Sequence, residues 1–164
     1  MTFLRFIRLL SLTLWTGSIF FFAAVLAPTA FSVLSSRTMA GEVVGRSLFT
    51  LHWIGLACGL IFLLVGIVMA MLQGGVSPFH FRDLLLVAML AITLFAHFGI
   101  ERKMGTLRNQ MGVVENVPHE DPRRVAFNRL HVWSVRLEGS VFFCGLALLY
   151  LVVREQASNE RRYY

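Results

Sequence analysis

Five histidines stand in this 164-residue chain, at positions 52, 80, 97, 119 and 131. Three of them, His52, His97 and His131, fall inside or beside long apolar runs. Neutral imidazoles on facing helices of a bundle are a common way to hold a metal ion or a haem. The stretch Phe127 to Glu138, F-N-R-L-H-V-W-S-V-R-L-E, adds polar groups to that picture. On a helix, His131, Ser134 and Glu138 share one face (i, i+3, i+7), and Arg136 sits on the other side. Ionisable groups cost roughly 2.5–3.5 kcal/mol each at the centre of a membrane helix, so they usually face a protein interior. Asp83, Thr93, His97 and Glu101 fall near one face of the preceding segment.

These residues need a scaffold, and the composition supplies one. The chain is 57% hydrophobic and 15% charged, with mean hydropathy +0.70. Soluble domains carry about 25% charged residues, so the chain reads as an integral membrane protein of one domain, 1–164. The net charge of +6 fits arginines flanking membrane segments better than it fits nucleic acid, which is not an expected partner. The expected partners are the lipid bilayer and either further copies of the chain or a larger membrane complex. A multi-pass location in a bacterial inner membrane is expected.

Four apolar segments are expected to span, at about 3–31, 47–72, 79–100 and 130–153. The first has the charge and small residues of a signal peptide, but its uncharged run from Leu9 to Ser36 is long enough for a retained span. Pro28 lies near its end, where a kink or stop is tolerated. Residues 32–46 read as a link, and 73–78 as a tight turn. Met104, Leu107, Met111 and Val114 keep a helical spacing, so the third helix either continues past the membrane or gives an interfacial turn or two. Asp121-Pro122 is a helix start, a capping residue followed by proline. From Pro122 to Arg154 nothing breaks the helix. At 1.5 Å per residue it runs ~50 Å against a hydrocarbon slab of ~30 Å. The fold class is therefore all-α, an up-down four-helix membrane bundle with helices three and four extended beyond the bilayer. Arginine and lysine counts of six and eight on the two sides leave the orientation open.

Up-down threading places His52, His97 and His131 at similar depth beneath one membrane face. They are the candidate metal ligands, with Ser134 and Glu138 deeper on that face as supporting partners or a proton relay. The alternative for each is a satisfied structural histidine near an interface. Glu101 and Glu138 have a structural alternative too, pairing with Arg102, Arg136 or an arginine on another helix. Gly55, Gly59 and Gly66 fall with His52 on one stripe, which reads first as helix packing. Cys58, Cys144, Met69 and Met71 read as packing residues. Trp53 and Trp133 fit an interfacial aromatic belt, whereas Trp15 is mid-span.

No phosphate loop, nucleophile elbow or zinc-spaced cysteine pair is present. Enzyme chemistry would have to come from a bound cofactor, so binding or transport fits these residues better than catalysis. Haem in place of a bare ion such as copper would make the protein an oxidoreductase. The competing reading is a structural or partner-binding subunit with no ligand, associating through its glycine stripe. A carrier of a small organic substrate would need an oligomer.

Several stretches carry a family resemblance: L-W-T-G at Leu14 to Gly17, A-P-T-A-F at Ala27 to Phe31, A-G-E-V-V-G-R-S-L-F at Ala40 to Phe49, L-H at Leu51-His52, and F-N-R-L-H-V-W-S-V-R-L at Phe127 to Leu137. In order, they resemble the transmembrane protein 205-like family, a four-helix membrane domain of unknown function. More distantly the chain resembles the copper-resistance D-like membrane proteins. The resemblance implies the four-helix fold and a membrane location but no settled activity: the eukaryotic namesake is associated with platinum-drug resistance, and the distant relatives with copper. It implies a neutral amide where this chain has Glu138.

Overall fold

A computed structural model describes the backbone of residues 1–72 and 81–160, with side chains to residue 155. The short turn expected over 73–78, His80 and the last four residues lie outside the described residues. Four helices, each long and apolar enough to cross a membrane, make up the fold: α1 (Thr2–Val33), α2 (Arg37–Leu72), α3 (Phe81–Met111) and α4 (Pro122–Glu160). Among the described residues there is no strand. Neighbours in the chain are neighbours in space, and α4 closes the ring against α1. The result is the expected all-α, up-down four-helix bundle.

The hydroxyls in α1 are accommodated within the helix itself. Thr16 Oγ1 donates to the Leu12 carbonyl at 2.9 Å, and Ser18 Oγ to that of Leu14 at 2.6 Å. A hydroxyl bonded back to its own turn costs little in lipid, where an unpaired one costs several kcal/mol. Pro28 does not stop this helix. A π-helical turn, Phe22–Leu26, precedes it. Widening the turn frees space for a ring that would otherwise collide with the carbonyl four residues back.

Residues 37–46, expected in a link, belong to α2. The cause is a cap that local sequence does not reveal. Ser36 Oγ accepts from the Thr38 amide at 3.1 Å. Glu115, far along the chain, accepts from the same amide at 3.1 Å and from Thr38 Oγ1 at 3.0 Å. A carboxylate there also complements the helix dipole. The third helix takes the continuous route to Met111 and ends at Gly112, whose φ of +63° suits a residue without a Cβ. Asp121 caps α4 as its sequence suggests, with Oδ1 accepting from the Arg123 amide at 2.8 Å.

The core is apolar along most of the bundle. Trp15, Leu12, Phe62, Leu86, Met89, Val141 and Leu148 are almost fully buried. Gly55 and Gly59 let α1 approach α2: a Cβ at Gly55 would lie 2.3 Å from the Trp15 indole nitrogen, and one at Gly59 would lie 2.8 Å from its ring. Gly66 faces the Arg8 guanidinium instead. At Gly55 and Gly59 the glycine stripe is therefore filled by the chain's own side chains. Mid-span Trp15 is its principal occupant.

Candidate functional site

The site lies toward the end of the bundle that carries the 112–121 loop, here called the loop end. Both histidines expected on α2 and α3 are buried there, each 2% exposed. Their ring centres are 5.6 Å apart in an edge-on arrangement. His52 Nε2 lies 2.5 Å from Glu138 Oε1 on α4, a contact across the diagonal of the bundle. The carboxylate thus fixes one nitrogen of the ring. The other, His52 Nδ1, has no hydrogen-bond partner among the described residues, and neither does His97 Nδ1. Thr93 Oγ1, one turn before His97 on the same face, is likewise buried without a partner.

His97 is walled by aromatic rings: Phe49 at 4.6 Å, Phe98 at 4.7 Å and Trp53 at 5.1 Å between centres. It belongs to a second π-helical turn, Ala96–Glu101. Such turns rotate one residue out of regular register and recur at functional positions. At the end of that turn Glu101 Oε1 accepts a 3.0 Å hydrogen bond from Ser134 Oγ on α4. The site therefore draws an imidazole from α2, an imidazole and a carboxylate from α3, and a carboxylate and a hydroxyl from α4.

His131 is not part of it. The side chain is exposed and lies seven residues, or ~10 Å of helix, before Glu138. The level of α4 that faces the two histidines is the level of Glu138. Counting from the helix starts shows why: His52 is 15 residues after Arg37 and Glu138 is 16 after Pro122, whereas His131 is only 9 after Pro122. Reading α2 as starting ten residues late made His52 look shallower than it is. Ser134 and Glu138 do stand with the histidines, Glu138 directly on His52. The arginines suggested as partners for the glutamates go elsewhere: Arg102 covers the Phe98 ring at 4.8 Å and Arg136 the Trp133 ring at 5.7 Å.

Two residues have roles that sequence reading did not assign. Trp53 is half exposed, as a belt residue should be, and it also closes one side of His97. Phe49 does the same one turn away. Their offsets of three and one residues from His52 were the available signal, but aromatic residues are too common in membrane helices to be singled out.

A ring nitrogen fixed by a carboxylate while the other nitrogen is left open is the arrangement that metal-binding histidines commonly adopt. Among the described residues, however, no three His, Cys, Asp or Glu side chains already converge on one point. The structure thus defines a multi-pass four-helix membrane bundle with a buried imidazole–carboxylate site at one end. Residues 10–112 match the family model described as Domain of unknown function (DUF4149), and the chain belongs to that family. The match spans α1 to α3 and includes His52 and His97; Ser134 and Glu138 lie beyond it. Comparison with curated proteins gave no match, and comparison with solved structures gave none.

Proposed function

We propose that this protein binds a transition-metal ion between α2 and α3, with His52 and His97 as ligands and Glu138 as the carboxylate that orients His52. The observation that carries the reading is the pair of buried, unpartnered Nδ1 atoms on rings 5.6 Å apart. Each buried polar atom left unpaired costs about 1–3 kcal/mol, which an ion held by both would offset. Two imidazoles bound to one ion at ~2.0–2.1 Å have ring centres roughly 5–6.5 Å apart. The separation in the bundle falls in that window, so modest ring rotation suffices. Glu101 or a water completes the set.

The donor chemistry narrows the ion. Imidazole and carboxylate suit borderline divalent ions such as copper(II) or zinc better than thiolate-seeking copper(I). Haem suits the site less well. A porphyrin needs open space around its axial ligand, and His97 is enclosed by three aromatic rings. The likeness to transmembrane protein 205-like and copper-resistance D-like proteins, and a place in a bacterial inner membrane, belong to the same proposal. The ligand-free structural subunit is the weaker reading, because its seam, the Gly55–Gly59 stripe, is occupied by Trp15 and Leu90.

Elemental analysis of the detergent-purified protein after dialysis tests the proposal. Wild type should retain close to one ion per chain, His52→Ala and His97→Ala essentially none, and His131→Ala the full amount. A wild type without metal, or equal content in all four proteins, would overturn it.

A further inference from the structure

The geometry points to Arg108 as the gate of the buried site, a guanidinium that stands between the His52–His97 pair and the aqueous phase at the loop end and sets how fast a cation reaches it. This rests on the reading of the two imidazoles as ligands.

Two of the other directions are closed. Toward the far end the site meets apolar core, with Trp15, Phe62 and Met89 each 2% exposed or less. Toward lipid, His97 meets Phe49, Trp53 and Phe98. At the loop end three helices place one residue each over the site with the same offset. Gly45 is seven residues before His52 on α2, Arg108 seven after Glu101 on α3, and Phe127 seven before Ser134 on α4. Seven residues are two turns, about 10 Å along the axis with only ~20° of rotation. Each member of the upper set therefore stands above a member of the site.

The upper set makes contact. The Arg108 guanidinium carbon lies 5.5 Å from the centre of the Phe127 ring. Its Nη1 would be 2.7 Å from a Cβ at Gly45, and its Nη2 3.9 Å from one at Gly41. The glycine face of α2 is thus the slot in which the guanidinium rests. Among the described residues Arg108 makes no ion pair. A cation that has passed the exposed loop-end carboxylates and moves along this face meets the Arg108 charge before it reaches Glu101 or Glu138. Arg108 therefore slows cation exchange, and its displacement opens the path.

Two variants separate the charge from the fold. Arg108→Gln removes the charge. Gly45→Ala keeps it but crowds the guanidinium from its slot, since the clashing atom is the mobile tip of a side chain. Two rates are measured on detergent-solubilised, metal-free protein. One is cobalt(II) uptake followed by its visible absorption. The other is labelling of His52 and His97 by a cationic imidazole reagent, the aquapentaammineruthenium(II) ion, located by mass spectrometry, with exposed His131 as the internal reference. Both variants should raise both rates about tenfold over wild type, with His131 unchanged. Wild-type modification rates at His52 and His97 in both folded variants would overturn the gate, whatever cobalt does. If modification accelerates but no protein binds cobalt, the ligand reading fails and the gate stands.

Discussion

The two ends of the bundle bury polar groups in opposite ways. At the end where α1 begins and α4 finishes, unlike charges are matched. Arg82 on α3 pairs with Glu155 on α4 and lies 3.7 Å from Asp83. The Arg8 guanidinium stacks 4.3 Å above the Phe62 ring. Arg8 Nε and Arg82 Nε lack hydrogen bonds, but a guanidinium has four further N–H groups to satisfy it. At the loop end, two imidazoles and two carboxylates are gathered, and among the described residues no arginine forms an ion pair with them. An imidazole has only two nitrogens, so an open Nδ1 is half its bonding capacity. One end is a charge-balanced clamp between helices; the other is a donor set with bonds to spare.

That contrast can be broken or sharpened by substitution. The largest effect belongs to the donor set: His97→Ala should lower metal affinity by more than a hundredfold, measured by equilibrium dialysis, while Arg82→Ala leaves it unaltered. Equal losses from both would erase the distinction between the ends. Glu138→Gln should cost about 10–100-fold in affinity, the range for removing a carboxylate that orients a ligand histidine. An unchanged affinity would reduce Glu138 to a packing residue.

Stability effects are smaller and fall elsewhere. Gly59→Leu drives new atoms into Leu90 and Trp15 and should destabilise the bundle by about 1–3 kcal/mol, read from unfolding in detergent. Arg82→Ala should cost about 1 kcal/mol, since Glu155 is 43% exposed and water screens the pair. A larger loss from Arg82→Ala than from Gly59→Leu would mean that the clamp, not the α1–α2 seam, dominates stability.

The smallest effect is with pH. The Thr38 and Ser36 hydrogen bonds hold the Glu115 carboxyl below its ordinary range, and the Arg123 side chain and amide bring Asp121 down to about 2. Depressed acids stabilise the fold above their unfolded pKa of about 4 and cease to as pH falls through the folded value. The unfolding temperature should therefore fall between pH 5 and 2. Asp121→Asn and Glu115→Gln should weaken less over that interval than wild type.

How much of this could be read from sequence differs between fold and site. Long apolar runs fixed four helices, and Asp121-Pro122 marked the start of α4 by local chemistry alone. The start of α2 was not legible, because its cap is completed by Glu115 from a distant part of the chain. That error passed into the site. His52 and His97 sit together as depth counting suggested, but the shallow start assigned to α2 matched them with His131 instead of Glu138. The open Nδ1 atoms and the aromatic wall around His97 depend on ring orientation, which no spacing rule contains. The seven-residue offset of Gly45, Arg108 and Phe127 was present in the sequence, but it acquires meaning only when the facing levels of the helices are known.

X-ray absorption at the edge of the bound metal tests the central claim most directly. The account predicts two imidazole ligands per ion in wild type and in His131→Ala, and one fewer in His97→Ala held in excess metal. A bound ion with an identical spectrum in His97→Ala, or one that loses an imidazole with His131, would contradict it.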